Sequence, residues 1–231
     1  MAKQPHFTPA LFSFLRELAA NNRREWFLTN KQRYEREVRE PLLSFIADFA
    51  PRLKEISVQY VADPSSNSGS MFRIYRDVRF SPDKRPYKIH AAARFPHLMG
   101  KDVHAPGYYL HLEPGNVFFA AGMWSPDAQS LAEVRDAIVA SPKRWRRAIG
   151  GRAFAGACTL EGDKLSRPPK GYDSNHPLIE ELKLKDFIAH SRTGLRERDA
   201  LSGDFIDQFA GFCAAAAPLM RFLTEAVGLK W

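Results

Sequence analysis

Residues 71–88, MFRIYRDVRFSPDKRPYK, constrain the fold of this chain more than any other stretch. Apolar and charged residues alternate along it, and side chains with a period of two lie on opposite faces of a β-strand. The residues on the face predicted to be buried are Phe72, Ile74, Val78 and Phe80. Proline and aspartate within Ser81–Lys84 are typical of a tight turn. We therefore predict a hairpin over residues 71–88, called the basic hairpin below, whose second strand continues over residues 88–95.

The basic hairpin and the residues after it carry an excess of positive charge. Residues 71–94 contain seven basic and two acidic side chains, a local charge of +5 against +8 for the whole chain. Arg76 falls on the predicted buried face, where a guanidinium must be paired or must face a cleft. Because clustered arginines bind phosphate or carboxylate oxygens through two donors at once, the sequence predicts an anion-binding groove on the hairpin. The candidate ligand-binding residues are Arg73, Arg76, Asp77, Arg79, Asp83, Lys84, Tyr87, Lys88, His111 and Trp124.

Two other interpretations of these charges remain open. Arginine–aspartate pairs often join a sheet to its neighbours and bind no ligand, in which case every hairpin arginine is paired and no cleft exists. Alternatively, the basic hairpin and a second basic cluster in residues 143–152 form a nucleic-acid-binding face, although the chain has no nucleic-acid-binding motif.

An acid–base site has suitable residues but no catalytic motif, so the sequence leaves open whether the protein is an enzyme. His111 lies in a predicted strand and faces the same side as Tyr109 and Glu113. The other acid–base candidates are Asp77, Asp83, Tyr87 and Lys88. Histidines recur every seven residues at positions 90, 97, 104 and 111, but prolines and a glycine interrupt this run. We therefore predict no metal site and no cofactor.

Three segments resemble the signature of a known family. The basic hairpin matches R-I-Y-R-D-x-R-F-S-x-D-K-x-P-Y-K, residues 21–27 match N-N-x-R-x-W-F, and residues 168–172 match a P-x-G-[YF] segment. The family occurs in bacteria and fungi and is known as a domain of unknown function. The resemblance covers nearly the whole chain, and it implies no activity, no cofactor and no catalytic residue.

The order of the predicted elements indicates an α+β fold. The main predicted helices span residues 9–20, 24–56 and 203–227, and shorter helices begin near residues 125, 141 and 177. Pro41 is a point where the second helix can be interrupted, and Pro218 is expected to kink or split the last one. After the hairpin, strands are predicted at 107–113, 117–121 and 158–160, with an edge strand at 187–190. We expect a single domain over residues 1–231, in which N-terminal and C-terminal helices pack an antiparallel sheet of four to six strands.

Composition limits the partners that the protein can have. The chain is 45% hydrophobic and 26% charged, as in ordinary globular proteins, and its pI of about 9.6 favours anionic partners. Cys158 and Cys213 are in no metal or redox spacing, so we expect buried thiols in a cytoplasmic protein. No apolar run is long enough to predict a membrane partner, and no feature indicates an oligomeric state.

Overall fold

The computed structural model describes residues 3–65, 68–99 and 105–231, in which helices from both ends of the chain pack an antiparallel sheet. The helices are α1 (Pro9–Ala20), α2 (Arg24–Thr29), α3 (Lys31–Tyr34), α4 (Glu40–Ile56), α5 (Ala128–Ala140), α6 (Pro142–Gly150), α7 (Arg152–Ala157), α8 (Ile179–Leu182), α9 (Glu197–Ala200) and α10 (Phe205–Ala226). The strands are β1 (Ala91–Pro96), β2 (Gly107–Glu113), β3 (Asn116–Met123), β4 (Cys158–Glu161) and β5 (Phe187–Ser191). The predicted α+β class is confirmed, as is a sheet of four to six antiparallel strands.

The described strands form one sheet in the order β1-β2-β3-β5-β4. Every neighbouring pair is antiparallel, and β2 turns directly into β3 at Gly115, whose φ is +78°. The prediction that residues 187–190 form an edge strand is wrong. Thr159 of β4 pairs with His190 of β5, so β4 occupies the edge and β5 lies inside the sheet.

Helix α10 covers one face of the sheet and forms the core with it. The ring centroid of Phe209 lies 4.9 Å from that of Phe119 in β3 and 5.4 Å from that of Phe95 in β1. Phe49 of α4 packs on the same ring at 4.7 Å, so the N-terminal helices close the core from the side. Helix α10 continues without a break through Pro218, so of the two outcomes predicted there the split is wrong. Among the described residues, no helix has the length and apolar character needed to cross a membrane.

The helix predicted over residues 24–56 consists of shorter pieces. Helix α2 ends before Asn30, whose side chain donates a hydrogen bond to the backbone carbonyl of Trp26. A π-helical turn, Glu35–Arg39, leads into α4 where Pro41 has no backbone N–H to donate. The predicted interruption at Pro41 is therefore a widened turn rather than a break.

Gly122 of β3 pairs with Ile188 of β5. Its φ is +141°, and a Cβ at this position would lie 1.9 Å from the carbonyl oxygen of Phe187. We expect Gly122→Ala to lower the free energy of unfolding by more than about 1 kcal/mol, because neither the backbone conformation nor the neighbouring strand accepts a side chain. Urea denaturation followed by circular dichroism measures the change.

Gly211→Ala in α10 is the matched control. Nothing lies within 4 Å of a Cβ at Gly211, and alanine is favoured in a helix, so this variant is expected to be as stable as the wild type or more stable. An equal loss of stability in both variants would contradict the assignment of a special role to Gly122.

Candidate functional site

The basic hairpin is an irregular antiparallel pair rather than two regular strands. Its arms are joined by isolated bridges, such as Tyr75 with Tyr87. Pro82 and Pro86 have no backbone N–H to donate, so a continuous ladder cannot form between the arms. The regular strand β1 therefore begins at Ala91 and not at the predicted residue 88.

The predicted faces of the basic hairpin hold for its first part only. Ile74 is buried, and Phe72 and Val78 are partly buried, as expected from the alternation. Phe80, however, is 94% exposed. The guanidinium of Arg79 lies 5.9 Å from the centroid of its ring, and the ring makes no contact with the core of the described structure, so the hairpin has left the core by this point.

The outer end of the basic hairpin, residues 76–85, contains two carboxylates, which pair with most of its basic side chains. Arg76 and Arg85 both bind Asp83, at 2.6 and 2.8 Å, and Arg79 binds Asp77 at 2.7 Å. The hydrogen bonds from Arg79 lower the pKa of Asp77 to about 2, and those from Arg85 hold the pKa of Asp83 below its usual range. The candidate residues in this outer end are Arg76, Asp77, Arg79, Asp83 and Lys84. They do not line the cavity described below.

Tyr87 faces the N-terminal helices and anchors the hairpin to them. Its ring stacks on Phe27 of α2 at 4.2 Å. The side-chain amide of Asn22 accepts the backbone N–H of Tyr87 at 3.0 Å and donates to its carbonyl at 2.9 Å. This contact joins two of the segments that carry the family signature, residues 21–27 and the basic hairpin. Tyr87 therefore acts in packing and lies outside the groove in which it was expected.

The face of the sheet opposite α10, called the open face below, carries a cavity of about 640 Å³. Residues of β2, β3 and β5 form its floor. One wall is formed by the inner end of the basic hairpin, which contains Phe72 and Lys88. Its aromatic lining includes Phe72, Tyr109, Phe118 and Trp124. Its basic and imidazole lining consists of Lys88, His90, Arg94 and His190. Of the predicted site residues, the lining therefore includes Lys88 and Trp124.

Lys88 reaches this cavity from the inner end of the hairpin. Its Nζ donates to the carbonyl of Arg73 at 3.0 Å and lies 5.1 Å from the ring centroid of Phe72. Burial lowers the pKa of Lys88, and the positive charge of Arg73, whose side chain is exposed, lowers it further. Arg94 of β1 donates to the carbonyl of Ala105 at 2.7 Å. Two basic side chains thus meet the cavity, and its described lining includes no aspartate or glutamate.

Next to the cavity, β2 carries a chain of three hydrogen-bonded side chains. The hydroxyl of Tyr109 lies 2.9 Å from Nδ1 of His111, and Nε2 of His111 lies 3.2 Å from Oε2 of Glu113. An ionised carboxylate only accepts hydrogen bonds, so Nε2 carries the hydrogen and Nδ1 accepts from the Tyr109 hydroxyl. The three residues share one face of the strand, as the alternation predicted.

Burial determines the charge of these groups. His111 is 7% exposed, and its ring is stacked on Phe118 at 4.6 Å and tilted against His90 at 4.5 Å and Tyr109 at 5.9 Å. Burial lowers the pKa of His111, although the carboxylate of Glu113 partly offsets this effect. Burial also lowers the pKa of His90, to about 4. Burial also raises the pKa of Tyr109 to about 12. Near pH 7 both imidazoles are therefore neutral and the phenol is protonated.

The lining residues that sequence reasoning missed include His90, Arg94, Phe118 and His190. The alternation of the strands contained a signal for His190, which follows the alternating buried residues Phe187 and Ala189 and lies on the opposite face of the strand. What the sequence lacked was the strand order, which pairs His190 with Ala120 of β3. Residue 104 of the histidine series lies outside the described residues, and the described part of the chain contains no group of His, Cys, Asp or Glu suited to a metal ion.

His90 is expected to titrate near pH 4, because burial and the nearby His111 and Lys88 disfavour its protonated form more than Glu113 favours it. In the unfolded chain a histidine titrates near pH 6.5, so unfolding takes up a proton between about pH 4 and 6.5. The free energy of unfolding should therefore fall as the pH decreases through this range. An NMR titration of the His90 C2–H signal and urea denaturation at several pH values measure both effects.

His90→Gln should remove that part of the pH dependence. His176→Gln is the control, because His176 precedes α8 and bonds the backbone N–H of Leu178, away from the cavity. A midpoint for His90 at pH 6 or above would contradict the inferred environment of its ring.

Comparisons with known proteins bear on the family of the chain. A family model described as "Conserved hypothetical protein (DUF2461)" matches residues 10–222. A search of curated proteins found no match, and a search of solved structures found none either. The matched region includes the basic hairpin, residues 21–27 and every strand around the cavity. This chain therefore belongs to the DUF2461 family of conserved hypothetical proteins.

Proposed function

We propose that this protein binds a small molecule with a flat apolar body and an anionic group, phosphate or carboxylate, in the cavity on the open face of the sheet. The observation that carries this proposal is the composition of the cavity lining. Aromatic rings and two basic side chains meet there, and the described lining includes no carboxylate.

The size and walls of the cavity suit such a ligand. Binding pockets for small molecules typically enclose about 300–1,000 Å³ and are mostly apolar with a few polar groups. The ring centroid of Tyr109 lies 6.1 Å from that of Phe72 and 5.8 Å from that of Phe118, so these rings form a continuous surface. Flat apolar groups pack well against such rings in offset or edge contacts.

The anionic group would bind at the inner end of the basic hairpin. Lys88 and Arg94 supply donors for charge-assisted hydrogen bonds, which are stronger than those between neutral groups. Lys88 is partly desolvated, so an anion beside it recovers electrostatic energy that water does not supply there. Of the hairpin cations predicted to bind an anion, Lys88 is part of the proposed site. Arg76, Arg79 and Arg85 are not, because Asp77 and Asp83 already pair with them.

Nucleic-acid binding and a purely structural role remain predictions. The basic hairpin packs against α2 and β1, whereas the basic helix α6 packs on α10 on the other side of the sheet. Nucleic-acid binding would show an affinity that falls steeply with salt concentration. A cytoplasmic location is also a proposal, supported by Cys158 and Cys213, which are buried free thiols.

Benzoate and phenyl phosphate are suitable probes, with benzyl alcohol as the neutral analogue. We expect both anions to raise the melting temperature at low salt, because a ligand of the native state stabilises it by mass action. Lys88→Met should weaken anion binding, measured by calorimetric titration, by at least about tenfold, which is typical for the loss of one charge-assisted hydrogen bond. Binding of benzyl alcohol should change little.

Lys84→Met is the matched control, since Lys84 bonds the carbonyl of Val78 at the outer end of the hairpin and lies outside the cavity. This variant carries the same change in net charge and should retain wild-type affinity. Equal losses in Lys84→Met and Lys88→Met, or the absence of any stabilisation by the anions at millimolar concentration, would contradict the proposal.

A further inference from the structure

We infer that Tyr109, His111 and Glu113 form a proton relay, and that the cavity carries out acid–base chemistry through the hydroxyl of Tyr109. This inference rests on the proposed function, since it assigns an activity to the ligand bound in the same cavity. In this relay Tyr109 is the catalytic residue, His111 accepts its proton, and Glu113 positions the imidazole.

The placement of the three side chains is that of a relay. Tyr109 lines the cavity, whereas His111 is 7% exposed and lies behind it, hydrogen-bonded to Glu113. Glu113 also accepts a hydrogen bond from Asn116 Nδ2 at 3.1 Å, which fixes the carboxylate. Of the three residues, Tyr109 is the one found in the described lining, so a ligand in the cavity contacts Tyr109 and reaches the imidazole through it.

The direction of the hydrogen bonds determines which group is the base. Glu113 holds the hydrogen of His111 on Nε2, so the lone pair of Nδ1 points at the Tyr109 hydroxyl, 2.9 Å away. A base held next to a hydroxyl and oriented by a carboxylate is the general arrangement that activates hydroxyl groups. Contacts with Phe118 and His90 keep the imidazole in this position.

The step that follows is a proton transfer from the bound ligand. The oxygen of Tyr109 takes a proton from a carbon or oxygen next to the anionic group, while the hydroxyl proton of Tyr109 passes to Nδ1 of His111. The electron pair of the broken bond stays on the ligand, near Lys88 and Arg94, and the resulting imidazolium is stabilised by Glu113. Burial keeps His111 neutral near pH 7, so its Nδ1 is ready to accept, and no oxidant or cofactor is needed.

The probe for this relay is 4-(fluorosulfonyl)benzoate, a flat carboxylate that reacts with activated hydroxyl groups. The Tyr109 oxygen bonds to sulfur, fluoride leaves, and the hydroxyl proton goes to His111. Mass spectrometry of digested protein gives the labelling rate of each tyrosine. Tyr75 is the internal control, because it is 51% exposed and no hydrogen bond of its hydroxyl is found in the described structure.

We expect Tyr109 to react at least about tenfold faster than Tyr75, with a rate that saturates as the probe concentration rises. Glu113→Gln should lower the maximal rate at Tyr109 by at least about tenfold without changing the half-saturating concentration. Lys84→Met should leave both values unchanged. Labelling of Tyr109 at the rate of Tyr75, or a Glu113→Gln variant that reacts like the wild type, would overturn the relay.

A second measurement does not depend on any variant. The ¹⁵N chemical shifts of His111 near pH 7 should show a hydrogen on Nε2 and a lone pair on Nδ1. A hydrogen on Nδ1 would overturn the inference, because Tyr109 would then have no acceptor for its proton.

The failure of the relay and the failure of anion binding give different results. Saturable binding of benzoate with slow labelling of Tyr109 would remove the relay and leave the binding proposal. Fast labelling of Tyr109 by the neutral phenylmethanesulfonyl fluoride, lost in Glu113→Gln but without saturation by the carboxylate probe, would support the relay and overturn the proposed anion site.

Discussion

The burial of one face of the sheet under α10 is the constraint on which the rest of this structure depends. Tyr108, Leu110 and Leu112 of β2 point to this face, as do Phe119 and Ala121 of β3, and all are buried. Aromatic side chains such as Phe209 fill the space between helix and sheet. Because the side chains of a strand alternate, this burial sends every second residue to the opposite face. The position of α10 thus determines which residues face the cavity.

The open face is covered only in part, and this explains its chemistry. The inner end of the basic hairpin reaches over β2 and brings His90 against His111. Groups held between the sheet and the hairpin are partly desolvated but remain accessible to a ligand. Desolvation disfavours the charged form of each group, so it lowers the pKa of the His90 imidazole and raises that of the Tyr109 phenol. Hydrogen bonds between the side chain of Asn22 and the backbone of Tyr87 fix the position of the basic hairpin.

The two ends of the basic hairpin have different environments, because both of its aspartates lie at the outer end. At the outer end, Asp77 and Asp83 precede Arg79 and Arg85 by two residues each, and local ion pairs form. At the inner end, Lys88 has no carboxylate partner in the described structure and bonds a carbonyl instead. Exposed local pairs contribute little to stability, so their main effect is to compensate the charge of the outer end, whereas Lys88 lines the cavity proposed to bind an anion.

Local patterns in the sequence were enough to predict the α+β class, the strands β2 and β3, the amphipathic helices and the common face of Tyr109, His111 and Glu113, because each depends on neighbours a few residues apart. The strand order, the interior position of β5 and the cavity were decided by tertiary structure alone. His190, Phe118 and Lys88 meet only because long-range pairing brings β5 and the hairpin to the same side of the sheet. The alternation of side chains along a strand determines on which face of the sheet a residue lies. Contacts between segments far apart in the chain determine which other residues pack against that face.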